Sequence, residues 1–577
     1  MLKLFGRPAW SAALAACVSL FAAAPSHAVS CREATRAEAA IYTTPLLMPG
    51  VISPFDGTCF VNAPTVTMRD GKRLTANVFL PAGANGGGKF PAVVYPSSWA
   101  AADFFEYVGQ QHRMARDGYV ALAYTARGFW GSEGMVSVAS EQDVLDFSSI
   151  VDWLLANTPS DAQKLGAAGI SYGAGLSVLG AAADTRIKAV ASMSGWSNLI
   201  DQMYGNAVPN PTWLAVLTLS GTFTGNMDPI IYEYDAAIRD PNTSQAKIAE
   251  ITAWGAPRSP LNAVDKLNAR QVPTLVAKNW QDDMFSPNST LLMFSRLTGP
   301  KKLLLQPGIH ASAELPGATL GVDNPVFDTV HRWMDRYLKG VANGIDTEPK
   351  VNVQLKFGNV RETLSTWPAP ELRQSTYYLG PRGDLRWDLG CLCWRGVTGS
   401  LRPTAPAQNA TDTIDNLLDT TASTGPIPIL SPLMETFGLP VVNHMATILP
   451  GNGIRYEGDL LKSPVKLRGS PQLKLKVKPG QSRGMLVAYL YDVDIVGFGT
   501  LVTHGARALH WATPGQVTDL SFDMNAIAYD VPAGHKLVLV FDTADSLYGA
   551  PVPWGQRFMM SLPFNSSNVM SMTLPVR

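Results

Sequence analysis

One serine lies in a short glycine frame, Gly169-Ile170-Ser171-Tyr172-Gly173, which has the G-x-S-x-G spacing of a nucleophile elbow. A serine hydroxyl attacks an acyl carbon effectively only when a base takes its proton and an acid orients that base. With 50 glycines in 577 residues, chance alone could supply the five letters. The flanking sequence decides the matter, because the apolar run KLGAAGI precedes the serine and the small-residue run YGAGLSVLG follows it. A strand before the serine and a helix after it predict a nucleophile at Ser171.

The base and the acid are expected on loops that follow later strands. The run KKLLLQP is followed by His310, and the run VPTLVAK is followed by Asp282 and Asp283. Of the eight histidines, only His310 follows a predicted sheet strand downstream of the serine. The residues therefore predict a Ser171–His310–carboxylate set, in which Asp282 is favoured and Asp283 is the alternative.

The elements that would hold these residues alternate between buried strands and helices. Before them, residues 64–81 indicate a hairpin around Asp70-Gly71. The alternation predicts an α/β fold with a mostly parallel sheet. The apolar runs are 90–96, 119–125, 164–170, 187–195, 272–278 and 301–307, and the helical segments are 103–118, 141–157 and 172–184.

Two changes of pattern divide the chain further. Between residues 196 and 270 the sequence becomes aromatic and proline-rich, which predicts a cap insertion over the site, with a helical excursion at the sheet edge as the alternative. From residue 350 to 577 alternating strands are separated by Gly, Pro and Asp. This region predicts an all-β sandwich of jelly-roll type after an α/β domain over 29–340.

The N-terminus has the pattern of a secretory signal peptide over residues 1–28. A basic start is followed by an apolar stretch, and Ala28 ends a small-x-small cleavage site. The sequence therefore predicts a secreted or periplasmic protein, with a lipid-modified Cys17 as the alternative. No other stretch is apolar enough to span a bilayer. Lys+Arg and Asp+Glu are equal at 46 each, which argues against a nucleic-acid partner.

Removal of the signal peptide leaves four cysteines, Cys31, Cys59, Cys391 and Cys393. Proximity in sequence favours a disulfide between Cys31 and Cys59. The Cys391-Leu392-Cys393 segment would then form a small ring or stay reduced, and a metal site there is disfavoured because no histidine or second cysteine pair lies nearby.

Seven segments along the chain can be compared with a known family. They are RDGKRLTANVFLP, DGYVALAYTARGFWGSEG, GISYGA, NWQDDMF, PGIHA, YDVDIVGFGTLVTHG and YDVPAGHKLVLVFDTAD. In this order they resemble the Xaa-Pro dipeptidyl-peptidase and cocaine esterase (CocE/NonD) family of serine hydrolases, which includes α-amino acid ester hydrolases. The resemblance covers most of the mature chain and implies an α/β-hydrolase domain with a helical cap, followed by a jelly roll. Within these segments, Arg127 and Glu133 are expected to form a structural ion pair that supports the elbow.

The resemblance also implies a mechanism and its residues. It makes Asp282 the acid beside His310 and Ser171, and it implies an acyl-enzyme that water hydrolyses. One oxyanion donor would be the backbone N–H of Tyr172. Where the family has a tyrosine hydroxyl as the second donor, this sequence aligns Trp99, whose indole N–H is a candidate donor and whose ring is alternatively a pocket wall. No metal and no organic cofactor is implied.

Three functions follow as hypotheses. The first is an esterase that acts on acyl esters or related amides, and a short cap favours it. The second is an Xaa-Pro dipeptidyl-peptidase, and the third is a ligand-binding protein with an inactive hydrolase domain. The expected partner is a small-molecule ester or a short peptide, and the sequence gives no oligomeric state. A peptidase would need carboxylates for the substrate's α-ammonium group, and the cap offers Asp201, Asp228, Glu233 and Asp235.

Overall fold

The structure of the chain is a computed structural model that describes residues 57–61, 64–384, 386–389, 393–415, 419–549 and 557–577. The predicted signal peptide over 1–28, with Cys17 and Ala28, lies outside these residues, as do Cys31 and Cys391. Cys59 is disulfide-bonded, and its pairing with Cys31 stays a prediction. Within the described ranges, no helix has the length and apolar character needed to cross a membrane.

An eleven-stranded sheet forms the centre of the N-terminal domain, in the order β1-β3-β5-β4-β6-β7-β8-β9-β10-β11, with β2 beside β3. The strands from β5 through β4 to β10 pair in parallel. Apolar residues buried on both faces, as in VALAY of β5, explain why these runs form interior strands. The strands are β1 Cys59–Val61, β2 Thr65–Thr67, β3 Arg73–Leu80, β4 Phe90–Pro96, β5 Val120–Tyr124, β6 Ser160–Ile170, β7 Ile187–Met193, β8 Thr274–Asn279, β9 Lys301–Gln306, β10 Val351–Gln354 and β11 Arg361–Leu364.

Helices flank this sheet, and local signals set their ends. A capping box begins the helix Glu141–Asn157, because Ser140 Oγ accepts from the Asp143 N–H while the Asp143 carboxylate accepts from the Ser140 N–H. The single helix predicted over 103–118 is wrong, since the chain leaves helical geometry at Tyr107. The helices outside the cap are α1 Asp103–Glu106, α2 Val108–Arg116, α3 Glu141–Asn157, α4 Ser171–Ala183, α10 Pro287–Arg296, α11 Leu315–Leu320 and α12 Pro325–Met334.

A helical insertion fills the chain between β7 and β8, where the cap is expected. Four of its five α-helices begin at a side-chain cap; Asn210, for example, accepts from the Trp213 N–H at the start of the longest one. These helices are α5 Leu199–Met203, α6 Pro211–Thr224, α7 Pro229–Arg239, α8 Gln245–Gly255 and α9 Val264–Ala269.

Among its described residues, the C-terminal domain is all-β apart from the helix α13 Leu430–Thr436 and a short 3₁₀ helix Met445–Thr447. The predicted class of an α/β-hydrolase domain followed by an all-β domain is therefore confirmed. One boundary differs: Val351–Gln354, assigned from the sequence to the β domain, pairs in parallel with β9 and extends the first sheet. Alternation in a four-residue strand cannot tell which sheet receives it. The remaining strands are β12 Arg373–Gly380, β13 Arg386–Asp388, β14 Cys393–Arg395, β15 Thr398–Arg402, β16 Ala410–Asp415, β17 Val442–His444, β18 Ile454–Glu457, β19 Val465–Gly469, β20 Gln472–Pro479, β21 Met485–Val493, β22 Phe498–Ala508, β23 Thr518–Asp523, β24 Ile527–Val531, β25 Lys536–Asp542, β26 Met559–Phe564 and β27 Ser571–Val576.

Candidate active site

Ser171 lies at the junction between strand β6 and helix α4. Its φ angle of +53° falls in the left-handed region, which residues other than glycine seldom adopt. Glycines make this turn possible: a Cβ on Gly169 would lie 2.3 Å from the carbonyl group of Gly173, and a Cβ on Gly173 would lie 2.0 Å from Pro96 O. The strand, the helix and the end of β4 therefore meet as closely as a nucleophile elbow requires.

His310 and Asp282 continue a chain of contacts that begins at Ser171. His310 Nε2 lies 2.7 Å from Ser171 Oγ, and His310 Nδ1 lies 3.0 Å from Asp282 Oδ2. Asp282 follows β8 and His310 follows β9, so both reach in from the sheet edge that carries the elbow. The alternative acid, Asp283, instead lies 3.5 Å from Nε2 of His504 in the C-terminal domain. The structure thus brings the predicted serine, histidine and favoured aspartate together.

Asp282 has a second partner that the sequence reasoning missed. Lys278 Nζ donates to Asp282 Oδ2 at 2.6 Å, and neither side chain has exposed surface. Burial alone would raise the pKa of Asp282, but the charges and hydrogen bonds of His310 and Lys278 lower it to about 2. Burial in turn lowers the pKa of the Lys278 ammonium. The carboxylate is therefore ionised at neutral pH and held from two sides.

A second buried carboxyl group, on Glu314, stands behind the histidine loop. It accepts from Ser194 Oγ at 2.9 Å and from Asn279 Nδ2 at 3.0 Å. Burial raises the pKa of Glu314, although these two hydrogen bonds oppose that effect. Sequence reasoning missed this residue too, since nothing near Glu314 in the chain marks it as buried.

Trp99 does not provide the indole donor expected from the sequence. Its Nε1 donates to Leu217 O at 2.9 Å, on the cap helix α6, so this N–H is already bonded. The ring packs edge-on against Tyr172, with centroids 5.6 Å apart. Trp99 is therefore a pocket wall, and the expectation that its indole serves as the second oxyanion donor is wrong for this structure.

An apolar cavity of about 110 Å³ adjoins Ser171 beneath the cap. Its only charged lining residue is Asp235, which forms an ion pair with Arg239 at 2.9 Å. Its lining combines aromatic side chains with aliphatic side chains of the cap. The lining includes Trp99, Tyr172, Trp196, Leu214, Ile238 and Phe285.

The ion pair expected between Arg127 and Glu133 is also wrong. Arg127 pairs with Asp146 at 2.6 Å and with Asp70 at 2.8 Å, whereas Glu133 pairs with Arg73 at 2.6 Å. Asp146 lies on α3 and Asp70 in the hairpin turn, so Arg127 links these two elements. The opposite charges of Arg127 and Glu133 suit them to pair, but the fold places each of them beside another partner.

A serine on a strand–helix elbow, with a histidine and an aspartate on loops after later parallel strands, defines an α/β-hydrolase of the serine hydrolase class. Two family models agree with this class. The model described as X-Pro dipeptidyl-peptidase (S15 family) matches residues 70–312, and the model for the X-Pro dipeptidyl-peptidase C-terminal non-catalytic domain matches residues 343–570. Together they match most of the chain, which belongs to this family of serine hydrolases.

Similar proteins include esterases as well as peptidases. The cocaine esterase of Rhodococcus sp. is 21% identical, with 82% of this chain and 89% of that protein covered. The solved structure of an α-amino acid ester hydrolase covers 92% of this chain and 99% of its own, at 18% identity and a TM-score of 0.67. An aminopeptidase structure from a Thaumarchaeota archaeon covers 92% of this chain and 98% of its own, at 15% identity and a TM-score of 0.66. The two structures share the fold with this chain.

Proposed function

We propose that this protein hydrolyses carboxylic esters with a compact apolar acyl group, through an acyl-enzyme formed on Ser171. The observation that carries the proposal is the 2.7 Å contact between Ser171 Oγ and His310 Nε2 at the wall of an apolar cavity. The contact supplies an activated nucleophile, and the cavity supplies space for the acyl group.

The proposed reaction has two half-reactions. His310 Nε2 takes the Ser171 proton as Oγ attacks the acyl carbon, and the protonated histidine then gives that proton to the departing alcohol. Water next attacks the acyl-enzyme while His310 again takes a proton, and the acid leaves as Ser171 Oγ is reprotonated. Asp282, ionised and bonded to Nδ1, stabilises the positive charge that His310 carries in both steps.

Two backbone donors suit the oxyanion that forms in each half-reaction. The Tyr172 N–H is in the first turn of α4, where it has no carbonyl partner within the helix. The Trp99 N–H follows β4 next to the elbow and has no acceptor among the described residues. Its neighbour Ser98 is fixed, because Ser98 Oγ donates to Ile170 O at 2.8 Å. We propose these two N–H groups as the oxyanion hole.

The cavity supports a preference for small apolar acyl groups. Its volume of about 110 Å³ is of the same order as that of the dry cavity of ~150 Å³ in which benzene binds. A short aliphatic chain or a single ring therefore fits, and the enclosing side chains offer it no free charge.

The Xaa-Pro dipeptidyl-peptidase activity is the second candidate, because the matching family models carry that description. Such a substrate needs an anionic site for its α-ammonium group. Of the four cap carboxylates considered from the sequence, Asp235 and Glu233 are paired with Arg239 and Lys247. Asp228 caps α7, and Asp201 lines a different cavity. None offers a free anion in the cavity beside Ser171, which favours the ester.

The test compares p-nitrophenyl esters of increasing acyl length with Xaa-Pro p-nitroanilides. We expect kcat/KM to be highest for acyl groups of about four to eight carbons, given the cavity size. Ser171→Ala should lower kcat by at least ~10³-fold. Ser177→Ala is the matched control, since Ser177 is buried in the same helix but donates only to Gly173 O. Ester turnover that survives in Ser171→Ala would refute the mechanism, and anilide cleavage with little ester turnover would reverse the order of the two candidates.

We also propose that the protein is exported with cleavage after Ala28, on the strength of the signal pattern over residues 1–28. N-terminal sequencing of the mature protein tests this, and a mature chain that begins at a lipid-modified Cys17 would contradict it.

A further inference from the structure

Lys278 is a buried cation without an obvious structural need. It lies in β8, whose six residues are all buried, and its side chain is fully enclosed. Transferring an ammonium group from water into a protein interior costs several kcal/mol even after relaxation. An apolar side chain would fill a position in this strand without that cost, so the charge itself calls for an explanation.

The Lys278 ammonium has one close acceptor. Nζ is 2.6 Å from Asp282 Oδ2, whereas its next oxygen, Gly195 O, is 3.4 Å away. The Phe285 ring lies on another side, with its centroid 5.5 Å from Nζ. Lys278 thus donates to the same carboxylate that contacts His310.

We infer that Lys278 is a positioning residue that fixes the Asp282 carboxylate and moderates the effect of its negative charge on His310. The inference rests on the proposed function. Asp282 favours the protonated form of His310, and the adjacent ammonium opposes that effect through its positive charge. Removal of the Lys278 ammonium would therefore leave the negative charge of Asp282 unopposed at His310.

The other titratable groups near this pair are few. The histidine loop contributes Glu314, which is tied to Ser194 and Asn279. The acid loop contributes Asp283, which faces His504 of the C-terminal domain at 3.5 Å. Neither donates to or accepts from Lys278 among the described residues, although Glu314 interacts with the Lys278 ammonium and with Asp282 through its charge. Because Glu314 stays in place in a Lys278 variant, the substitution removes one charge from the groups around the Asp282–His310 pair.

The test is the pH dependence of kcat/KM for p-nitrophenyl butyrate in Lys278→Met and Lys278→Gln. Both substitutions remove the charge, and the glutamine keeps a hydrogen-bond donor for Asp282. We expect the acid limb of the profile to move to higher pH by about one unit in both variants. In the range where activity falls, kcat/KM relative to its own plateau should then be roughly tenfold below wild type. Lys278→Arg should restore the wild-type limb.

Lys356→Met is the matched control. Lys356 is another buried lysine with a carboxylate partner, since its Nζ lies 2.9 Å from Glu435, and each side chain is 4% exposed. It contacts neither Asp282 nor His310, so its removal should lower stability and leave the acid limb in place.

An unchanged acid limb in a folded Lys278→Gln or Lys278→Met variant overturns the inference, even if the plateau rate falls. If Lys278→Met does not fold, the glutamine variant decides, because it preserves the hydrogen bond. Failure of the proposed function is a separate result, since it would appear as ester turnover that survives Ser171→Ala.

Discussion

On one side of Ser171 the side chains are charged, buried and hydrogen-bonded, whereas on the other side, beneath the cap, they are apolar. Asp282, Lys278 and Glu314 are each fully or almost fully buried, and each has at least one polar partner within 3.0 Å. The cavity side has Leu214, Ile238 and their neighbours, and its single carboxylate is paired within the cap.

This difference separates two tasks. The charged side comes from the end of β8 and from the loops after β8 and β9, which the sheet holds in fixed positions, so it is suited to proton transfer. The apolar side comes from an inserted set of helices, where contacts are short-ranged and non-directional, so it can set which acyl group fits. Changes on the charged side should therefore affect all esters alike, and changes on the cap side should alter the ranking among esters.

Asp282→Asn should have the largest effect. The amide cannot hold the histidine in the same tautomer or stabilise its positive charge, and it leaves Lys278 without its anion. We expect kcat to fall by about 10³- to 10⁴-fold for short and long esters equally. Steady-state kinetics over the ester series measures this.

Asp283→Asn is the control for that variant, because it changes the adjacent carboxylate, which faces His504 rather than His310. We expect it to stay within about threefold of wild type. If Asp283→Asn were as impaired as Asp282→Asn, the assignment of Asp282 as the catalytic acid would be wrong.

A comparison of Glu106 with Asp282 shows what cations do on the charged side. It is 1% exposed, and its carboxyl group contacts the hydroxyl and the N–H of Ser98, with no cationic partner among the described residues. Burial raises the pKa of Glu106 to about 7, whereas Asp282, equally buried beside Lys278 and His310, has a pKa of about 2. The pKa values of these two buried carboxyl groups thus differ because Asp282 lies beside cations and Glu106 does not.

The raised pKa makes the stability contribution of Glu106 dependent on pH. Its proton is kept on folding, so the contribution is complete below the unfolded pKa of 4.5 and is lost as pH rises through about 7. Glu106→Gln keeps a donor for Ser98 but cannot ionise. We expect the wild-type stability, measured against this variant by urea unfolding, to decline by about 3 kcal/mol between those two pH values. If the stabilities of wild type and Glu106→Gln changed in parallel with pH, Glu106 would ionise as an ordinary carboxyl group and the prediction would be wrong.

Leu214→Ala tests the apolar side. Leu214 is 6% exposed and lines the cavity, so its truncation should enlarge the space and favour longer acyl groups. We expect the ratio of kcat/KM for octanoate over butyrate to rise roughly tenfold. The control is Leu219→Ala on the same helix, where the side chain is 57% exposed and outside the cavity. A uniform loss of kcat/KM over the ester series would show that Leu214 supports the fold and does not determine which acyl group is preferred.

Local sequence signals predicted much of this architecture. The central strands are recognisable as short apolar runs, and the helix over 141–157 because Val144, Phe147, Ile150, Val151 and Leu154 recur at helical spacing. The serine, histidine and aspartate followed from the strand ends that precede them.

What could not be predicted depends on partners distant in the chain. The helix break at Tyr107 accompanies a hydrogen bond in which the Ile170 N–H donates to Tyr107 Oη at 2.8 Å, across 63 residues. The Trp99 indole meets the Leu217 carbonyl 118 residues away. Lys278 did carry a signal, since it is the one charged residue of a buried strand and lies four residues before the acid, but the sequence could not show its partner.

Trp99→Phe should have the smallest effect, and it tests where the two sides meet. The phenyl ring keeps an apolar wall against Tyr172, but it is smaller than the indole and lacks the bond to Leu217 O. The backbone N–H proposed for the oxyanion is untouched. We expect kcat to change less than about threefold, because removal of a true oxyanion donor costs about 10²- to 10³-fold. A loss of that larger size with the fold intact would return the indole to the oxyanion hole. It would also mean that the cap side takes part in the chemistry, since the indole N–H would have to leave its cap acceptor during turnover.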